Sequence, residues 1–279
     1  MKSTHPRGMA LVAVLWIVAA LSVMALALAG TTRVQVRTAS AQRDAASAQA
    51  AGEAAVALAL QELLAQPVRL DGVQHMHVQW QDMDIAVQVA SLDGFVSLNG
   101  ASVELLTAVL QSAGAGNAQA LAEAIVAWRD GTDMPLEEGR QPRRFEAVED
   151  LMLVPGMDYA LYARIAPLMS TTARNSAVNA RSAPPEVLHA LAGEQGARVD
   201  DYVSRRDEPN ADASFLNPAL AAAHGNGGTL YRVSANVPLA EGTIAHLACD
   251  VALHSDTQRG LPWTLLRQSV HVAAPPLQP

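Results

Sequence analysis

A long apolar run near the N-terminus constrains this chain more than any other feature. No charged side chain stands between Arg7 and Arg33, and Ser22 is the only polar residue within 9–29. At a rise of about 1.5 Å per residue, a helix of this length measures roughly 30 Å, the thickness of a bilayer's hydrocarbon core. The sequence therefore predicts a membrane-spanning helix close to the N-terminus.

The junction in front of the apolar run carries a second signal. A short basic leader, with Lys2 and Arg7, ends in Gly8, and the apolar residues begin at once with Met9. This junction resembles the class III leader of type IV pilins and pseudopilins, which a prepilin peptidase cuts between glycine and the first apolar residue. The resemblance implies processing between Gly8 and Met9, followed by methylation of the new amine. It also implies an assembly segment at the start of the helix, formed by Met9, Ala10, Leu11, Val12 and Ala13.

Two other interpretations of the same run stay open. It could be an ordinary signal anchor, or a secretory signal peptide with an A-x-A-like site within 25–29. The apolar run is longer than the usual signal-peptide core of about 7–15 residues. Basic residues lie on both sides of it, so the flanking charges do not decide its orientation.

The charge balance narrows the possible partners. The formal net charge is −8, and removal of residues 1–8 would leave 17 basic against 27 acidic residues, or −10. A body this acidic is a poor general ligand for nucleic acids or anionic lipids. Cys249 is the only cysteine, so no intramolecular disulfide can form, and we expect it to be a buried strand residue.

Helical character continues beyond the apolar run. Residues 31–66 are rich in Ala, Gln, Glu and Leu, which favour helix, and Pro67 ends the pattern. One helix over 9–66 would be about 85 Å long. A membrane helix followed by an Ala-rich linker is the alternative, with a break at Gly30 or Gly52.

Residues 73–91 and 227–273 change to a period of two, which is typical of strands with one apolar face. The first stretch predicts a β-hairpin that turns at Gln81-Asp82, and the second predicts three strands. Each part is too small to be a stable domain, so we expect both to share one antiparallel sheet.

The residues between the two β parts predict a small helical domain. We expect Ser102 and Asn117 to cap its first two helices, and Pro184-Pro185 to start a later one. The predicted helices cover 103–111, 118–128, 147–153, 158–169, 186–191 and 197–206.

Several motifs in this order resemble the GspK family, the large minor pseudopilins of the type II secretion system. The matching stretches are Leu92-Asp93-Gly94-Phe95-Val96-Ser97-Leu98-Asn99, Trp128-Arg129-Asp130, residues 145–156 with Val154-Pro155-Gly156, and Asn175-Ser176-Ala177-Val178-Asn179-Ala180. The resemblance implies an α+β fold. In it, a pilin-like N-terminal helix packs on an antiparallel sheet, and an all-helical domain, SAM-like or helix-hairpin-helix-like, is inserted.

Following this resemblance, we divide the chain into seven segments. They are a leader, a transmembrane or assembly helix, a helix extension, the first part of the sheet, the inserted helical domain, the second part of the sheet and a tail. The boundaries are 1–8, 9–30, 31–66, 67–92, 93–226, 227–273 and 274–279.

The resemblance also implies a function and partners. The chain would be a non-enzymatic tip subunit of the pseudopilus, passing once through the bacterial inner membrane, with its body in the periplasm. Its partners would be minor pseudopilins I and J, other pseudopilus subunits and the prepilin peptidase, with the outer-membrane secretin or secreted cargo as a further hypothesis. Ala13, the fifth residue if Met9 is the first, stands where typical pilins and pseudopilins carry a glutamate that pairs with the amine of the subunit ahead, and a subunit with none ahead needs no such group.

One departure from the family concerns calcium. The calcium-binding segment that usually follows the Trp-Arg-Asp motif is shortened here and lacks its tyrosine. Its possible oxygen ligands, Asp130, Asp133, Glu137 and Glu138, do not have the spacing of an EF-hand loop. We therefore predict a solvated acidic loop and no cofactor, with calcium as the alternative.

Other functions have weaker support. Residues 151–157 also resemble a helix-hairpin-helix, so a membrane-anchored binder of DNA or protein is the alternative function. The hairpin is acidic, however, whereas a DNA reader needs basic residues there. No G-x-S-x-G, H-E-x-x-H, Walker A or G-x-G-x-x-G motif indicates an enzyme. We expect His75 and His77 to lie on an exposed strand face, and Asp200-Asp201 with Arg205-Arg206 to form a solvated helix face.

Overall fold

The computed structural model describes residues 7–66, 70–132, 143–208, 211–222, 228–239, 242–254 and 260–273. The chain divides into two compact units, Met1–Ala50 and Ala51–Pro279. The seven segments predicted from the sequence are a finer division and stay a prediction.

A single long helix opens the described part of the chain. Helix α1 runs over Arg7–Ala65, a length of 59 residues. It confirms the long helix predicted over 9–66. The breaks considered at Gly30 and Gly52 do not occur, because the surrounding alanines offset the helix cost of a glycine, about 1 kcal/mol each.

The other elements follow in chain order. The strands are β1 (Val73–Trp80), β2 (Met83–Ser91), β3 (Val96–Ser97), β4 (Met169–Ser170), β5 (Val178–Asn179), β6 (Ala221–Ala222), β7 (Leu230–Pro238), β8 (Ile244–Leu253) and β9 (Trp263–Ala273). The further helices are α2 (Val103–Ser112), α3 (Ala118–Asp130), α4 (Tyr159–Ile165), α5 (Pro185–Ala192) and α6 (Ala197–Arg205).

One antiparallel sheet joins the two β parts of the sequence, as predicted. Its order is β1-β2-β7-β8-β9, so β2 and β7 are neighbours although the helical domain separates them in the chain. The predicted hairpin turn is present, and Gln81 adopts a positive φ of 54° there. The α+β fold class is therefore confirmed.

The second half of α1 covers one face of this sheet. Ala51, Ala55, Ala59 and Leu63 are buried at a spacing of four residues, which places them on one side of the helix. A Cβ atom at Gly52 would lie 2.9 Å from Leu247 Cδ2 on β8, so the helix backbone approaches the sheet closely at this glycine.

The helical domain has its own apolar core, which continues to the end of the sheet next to β2. Fully buried members include Leu105, Leu106, Ile125, Leu151 and Leu188. Two short parallel strand pairs, β3 with β4 and β5 with β6, fasten its loops. Pairs of two residues leave no periodic signal in a sequence, so none was predicted.

Several helix details differ from the sequence predictions. Ser102 caps α2 as expected, with its hydroxyl oxygen accepting from the Leu105 N–H at 3.2 Å, whereas Asn117 makes no side-chain cap at α3. Val148–Leu153 forms a 3₁₀ helix instead of an α-helix. Helix α4 ends at Ile165, earlier than predicted, because Pro167 has no N–H to continue the helix.

Candidate functional site

The predicted processing site lies at the start of α1. Gly8 and Met9 are in its first turn, and Ala10, Leu11, Val12 and Ala13 follow in the same helix. No observation tests whether a peptidase cuts between Gly8 and Met9, so the processing site and the assembly segment stay predictions.

Described side chains in this part of α1 are exposed instead of packed. The large apolar ones between residues 12 and 24 keep between 56% and 73% of their surface accessible. They are Val12, Val14, Leu15, Trp16, Ile17, Val18, Leu21 and Met24. We call this set the exposed apolar helix. Its apolar groups point in all directions around the helix, which is typical of a helix that other molecules must cover.

Within the described residues, no helix meets the combined length and hydropathy needed to cross a membrane.

The motifs of the helical domain meet at one place, although the chain separates them by dozens of residues. Asn99 is the central polar group, and its amide Nδ2 donates to the Phe145 carbonyl at 2.9 Å and to the Thr171 carbonyl at 2.8 Å. Its Oδ1 accepts from the Phe145 N–H at 2.9 Å. One side chain therefore ties together three segments of the domain.

The Trp-Arg-Asp motif at the end of α3 packs on the same place. The Trp128 and Phe145 rings stack with their centroids 4.4 Å apart. The Arg129 guanidinium donates to the carbonyls of Leu98 and Ala101, at 3.4 and 3.1 Å. These contacts give the motif an architectural role, since the polar groups bind the protein's own backbone.

The remaining motif contributes a second asparagine. Asn175 Nδ2 donates to the carbonyls of Asp93 and Phe95, both at 3.2 Å. Gly94 and Gly100 lie against backbone here: a Cβ atom at Gly100 would be 2.7 Å from the Arg174 carbonyl oxygen. We call the set of Asn99, Trp128, Arg129, Phe145 and Asn175 the junction. The four motifs that suggested a family are thus the residues that hold the helical domain together.

An ion pair fastens the helical domain to the sheet. Arg232 on β7 and Asp250 on β8 face each other in register, with Nε–Oδ1 at 2.6 Å and Nη2–Oδ2 at 2.9 Å. Both side chains are more than nine-tenths buried. Arg232 also donates to the carbonyls of Pro167 and Met169 and lies 4.2 Å from the centre of the Phe95 ring. We call this group the clamp.

The clamp was not predicted, although the sequence contains a signal for it. Arg232 and Asp250 are single charges between apolar residues on two neighbouring strands, at positions that face away from α1. Opposite charges in register across two strands indicate a pair. Sequence alone could not place the carbonyls of Pro167 and Met169, which satisfy the remaining donors.

The predicted acidic loop lies mostly outside the described residues, which include Asp130 but not Asp133, Glu137 or Glu138. Asp130 Oδ1 accepts from Arg129 Nε at 3.0 Å. Among the described residues, no three or more His, Cys, Asp or Glu side chains converge as metal ligands. The calcium alternative at residues 130–138 therefore stays untested.

The helix-hairpin-helix stretch forms a compact turn between Val148–Leu153 and α4. Gly156 has a φ of +90°, and Asp158 caps α4 through the Leu161 N–H at 2.8 Å. The exposed large side chains of the turn are apolar: Met152, Leu153 and Tyr159. Residues 148–159 contain no lysine or arginine that would bind phosphates, and DNA binding stays an untested alternative.

Three further predictions have clear outcomes. Cys249 is buried in β8, and burial, with Asp250 and Glu53 nearby, raises the pKa of its thiol to about 11, so it stays a neutral thiol. His75 and His77 lie exposed on one face of β1, as expected. Arg205 pairs with Asp201, but the prediction for Arg206 is wrong. Arg206 is buried and donates to the Ala183 carbonyl at 2.9 Å.

Comparisons with known proteins give a similarity in structure but none in sequence. No protein-family profile matches the chain, and no curated protein matches its sequence. The fold is similar to a chain in the crystal structure of the GspK-GspI-GspJ complex from the type II secretion system of enterotoxigenic Escherichia coli. That similarity has a TM-score of 0.48 and 14% sequence identity, and it covers 85% of this chain and 99% of that chain.

Proposed function

We propose that this protein is a GspK-like minor pseudopilin of a type II secretion system, a non-enzymatic subunit that supports protein export. The observation that carries the proposal is the exposed apolar helix directly behind the Gly8-Met9 junction. The motifs of the junction, in the order that resembles the GspK family, support it.

The exposed apolar helix would have two successive surroundings. Before assembly, lipid of the bacterial inner membrane would cover its apolar side chains, with the body in the periplasm. After assembly, the stems of other pseudopilus subunits would cover them. Both surroundings remove apolar surface from water, worth about 25 cal/mol per Å², so the helix does not need a partner within its own chain.

We infer the position of the protein within the pseudopilus from Ala13 and from the helical domain. Ala13 carries no carboxylate, so the helix offers nothing to pair with the amine of a subunit ahead of it. The helical domain would block further subunits above this one. We therefore place the protein at the tip, with minor pseudopilins I and J as its neighbours.

The first test is the N-terminus of the membrane-extracted protein, measured by intact mass and N-terminal peptide mapping after expression with an active prepilin peptidase. We expect a chain that starts at Met9 and carries a methylated amine. Two controls accompany it: an inactive peptidase, and Gly8→Asp, which replaces the small residue at the cut. Both should leave the leader in place.

Each other outcome contradicts the proposal in a specific way. A chain starting after Ala29 would be a secreted protein without an assembly helix. An uncut chain in the presence of active peptidase would be a plain membrane anchor, and salt-dependent binding of DNA to the body would then test the helix-hairpin-helix alternative.

The helical domain is the part that would face cargo or the secretin. Its turn exposes Met152, Leu153 and Tyr159, which suits contact with another protein better than contact with water. A photo-crosslinker at these three positions in secreting cells should trap cargo or secretin. The same crosslinker at Leu58, exposed on α1, serves as the control. Absence of both products would remove this role but not the pseudopilin assignment.

A further inference from the structure

The face of the sheet that points away from α1 carries a pair of histidines. The register pairs His246 of β8 with His271 of β9, and Asn236 of β7 lies opposite His246 on the other side. The two imidazole rings have centroids 5.0 Å apart and planes inclined by 24°. His271 is exposed and His246 is half-buried, so solvent reaches the pair.

Asn236 determines which nitrogen of His246 can bind a ligand. His246 Nδ1 lies 2.7 Å from Asn236 Oδ1. An amide oxygen can only accept, so Nδ1 must carry the hydrogen, and Nε2 keeps its lone pair. A metal-binding histidine typically has this arrangement, because a hydrogen bond to its second nitrogen orients the ring and raises the basicity of the first.

The second ring is equally available. The His271 side chain makes no hydrogen bond within the described part of the chain. A ring nitrogen without a hydrogen is the atom that coordinates a metal ion.

We propose that His246 and His271 form a two-histidine site for a divalent transition-metal ion such as Cu²⁺, Ni²⁺ or Zn²⁺, with Asn236 as the positioning residue for His246. The remaining coordination positions are filled by water. Imidazole nitrogens favour these ions over Ca²⁺ or Mg²⁺, which prefer oxygen ligands.

A rotation of the exposed His271 ring would bring the pair to the geometry of a bound ion. Two nitrogens bound at about 2.1 Å in a tetrahedral site are roughly 3.4 Å apart. The ring planes are inclined by only 24°, so the in-plane lone pairs run nearly parallel, and His271 must rotate about its side-chain bonds until its nitrogen converges with His246 Nε2. On one side of the pair the next residues facing the same way are Ala248 and Ser269, which are small enough to leave room for the ion and its waters.

His75 and His77 provide a matched comparison on the same sheet. They are two residues apart on one strand, and each already has a side-chain partner: His75 Nε2 lies 3.3 Å from Gln88 Nε2, and His77 Nδ1 lies 3.2 Å from Asp84. The His75 and His77 pair therefore serves as a control for binding by any two exposed histidines.

The test is calorimetric titration of the full chain in detergent with CuCl₂ and with NiCl₂ at pH 7.5. The protein is produced without a histidine tag. We expect one ion per chain, and binding of both ions weakened at least tenfold by His246→Ala and by His271→Ala, with no change in His75→Ala or His77→Ala. Thermal unfolding followed by circular dichroism shows whether each variant is folded.

Two variants of Asn236 distinguish a positioning role for His246 from a purely structural role, because they should change the metal affinity in opposite directions. Asn236→Ala removes the oxygen that orients His246 and should weaken binding about tenfold, within the range for such outer partners. Asn236→Asp supplies a carboxylate and should tighten it. The proposal is overturned if folded wild-type protein binds neither ion at 100 micromolar, if both histidine variants bind as wild type does, or if the two Asn236 variants change the affinity in the same direction.

Discussion

The apolar side chains of helix α1 are exposed in its first part and buried in its last part. In the first compact unit, Leu15 and Trp16 are more than two-thirds exposed, whereas in the second unit Ala59 and Leu60 are almost completely buried. The second half has a four-residue stripe that fits a sheet, and the first half is apolar on all sides. The difference shows that one helix can contribute to the core at one end and expose its apolar side chains at the other.

The contrast extends to polar groups. Among the buried charges described in the body, Arg232 and Asp250 pair with each other and Arg206 donates to a backbone carbonyl, and the asparagines at the junction also bind backbone groups. If this comparison is right, substitutions in the body should lower the free energy of unfolding according to the contacts they remove, while those in the exposed apolar helix should leave it unchanged. Urea unfolding of the detergent-solubilised chain measures each change.

The largest effect is expected at the clamp. Arg232→Ala leaves the Asp250 carboxylate buried without its partner and should lower the free energy of unfolding by about 3–5 kcal/mol. Arg205→Ala removes the arginine of an exposed pair and is the control, with an expected loss below about 1 kcal/mol. Equal losses in the two variants would show that the clamp does not fasten the helical domain.

The next largest loss in the free energy of unfolding is expected at Leu60, which we compare with Leu15 in the other half of α1. Leu60→Ala opens a cavity between the helix and the sheet and should cost about 2–5 kcal/mol. Leu15→Ala makes the same chemical change at an exposed position and should change the free energy of unfolding by less than about 0.5 kcal/mol. A similar cost for both would mean that Leu15 is packed against something within the chain, and the comparison would fail.

A smaller effect is expected at the junction. Asn99→Ala leaves the Phe145 N–H and two carbonyls without their partner, and the expected loss is about 1–3 kcal/mol. Asn117 is exposed and makes no side-chain cap, so Asn117→Ala is the control and should unfold within about 0.5 kcal/mol of the wild type. No difference between them would mean that water replaces Asn99 without cost.

The smallest change in the free energy of unfolding is expected at Gly52, where helix propensity and packing against Leu247 act in opposite directions. An added methyl group favours the helix by about 1 kcal/mol, but its contact with Leu247 costs about 1–3 kcal/mol. Gly52→Ala should therefore lose roughly 1 kcal/mol. Adding Leu247→Val shortens the opposing side chain, so the double variant should lose less than the sum of the two single ones. A stabilised Gly52→Ala variant would show that the close approach is easily relieved.

Periodic stretches were predictable from the sequence because their signal is local. The long helix, the hairpin and the strands containing Tyr231 and Cys249 repeat their apolar residues at the spacing of the structure. Apolar spacing together with capping residues also predicted the bounds of helices α2, α5 and α6 to within one or two residues. It failed at Val148–Leu153, where Asp150 Oδ2 accepts from the N–H groups of Glu146 and Ala147 and a tighter 3₁₀ turn forms.

The sequence by itself determined the long helix, the shared sheet and an acidic body with one cysteine, because periodicity, length and charge are properties of neighbouring residues. Only the tertiary structure decided that the motifs meet at the junction, that Arg206 is buried, and that His246 lies between Asn236 and His271. Those outcomes depend on strand register and on contacts between residues far apart in the chain. A shift of one residue in the register of β8 would turn His246 to the other face of the sheet, away from Asn236 and His271.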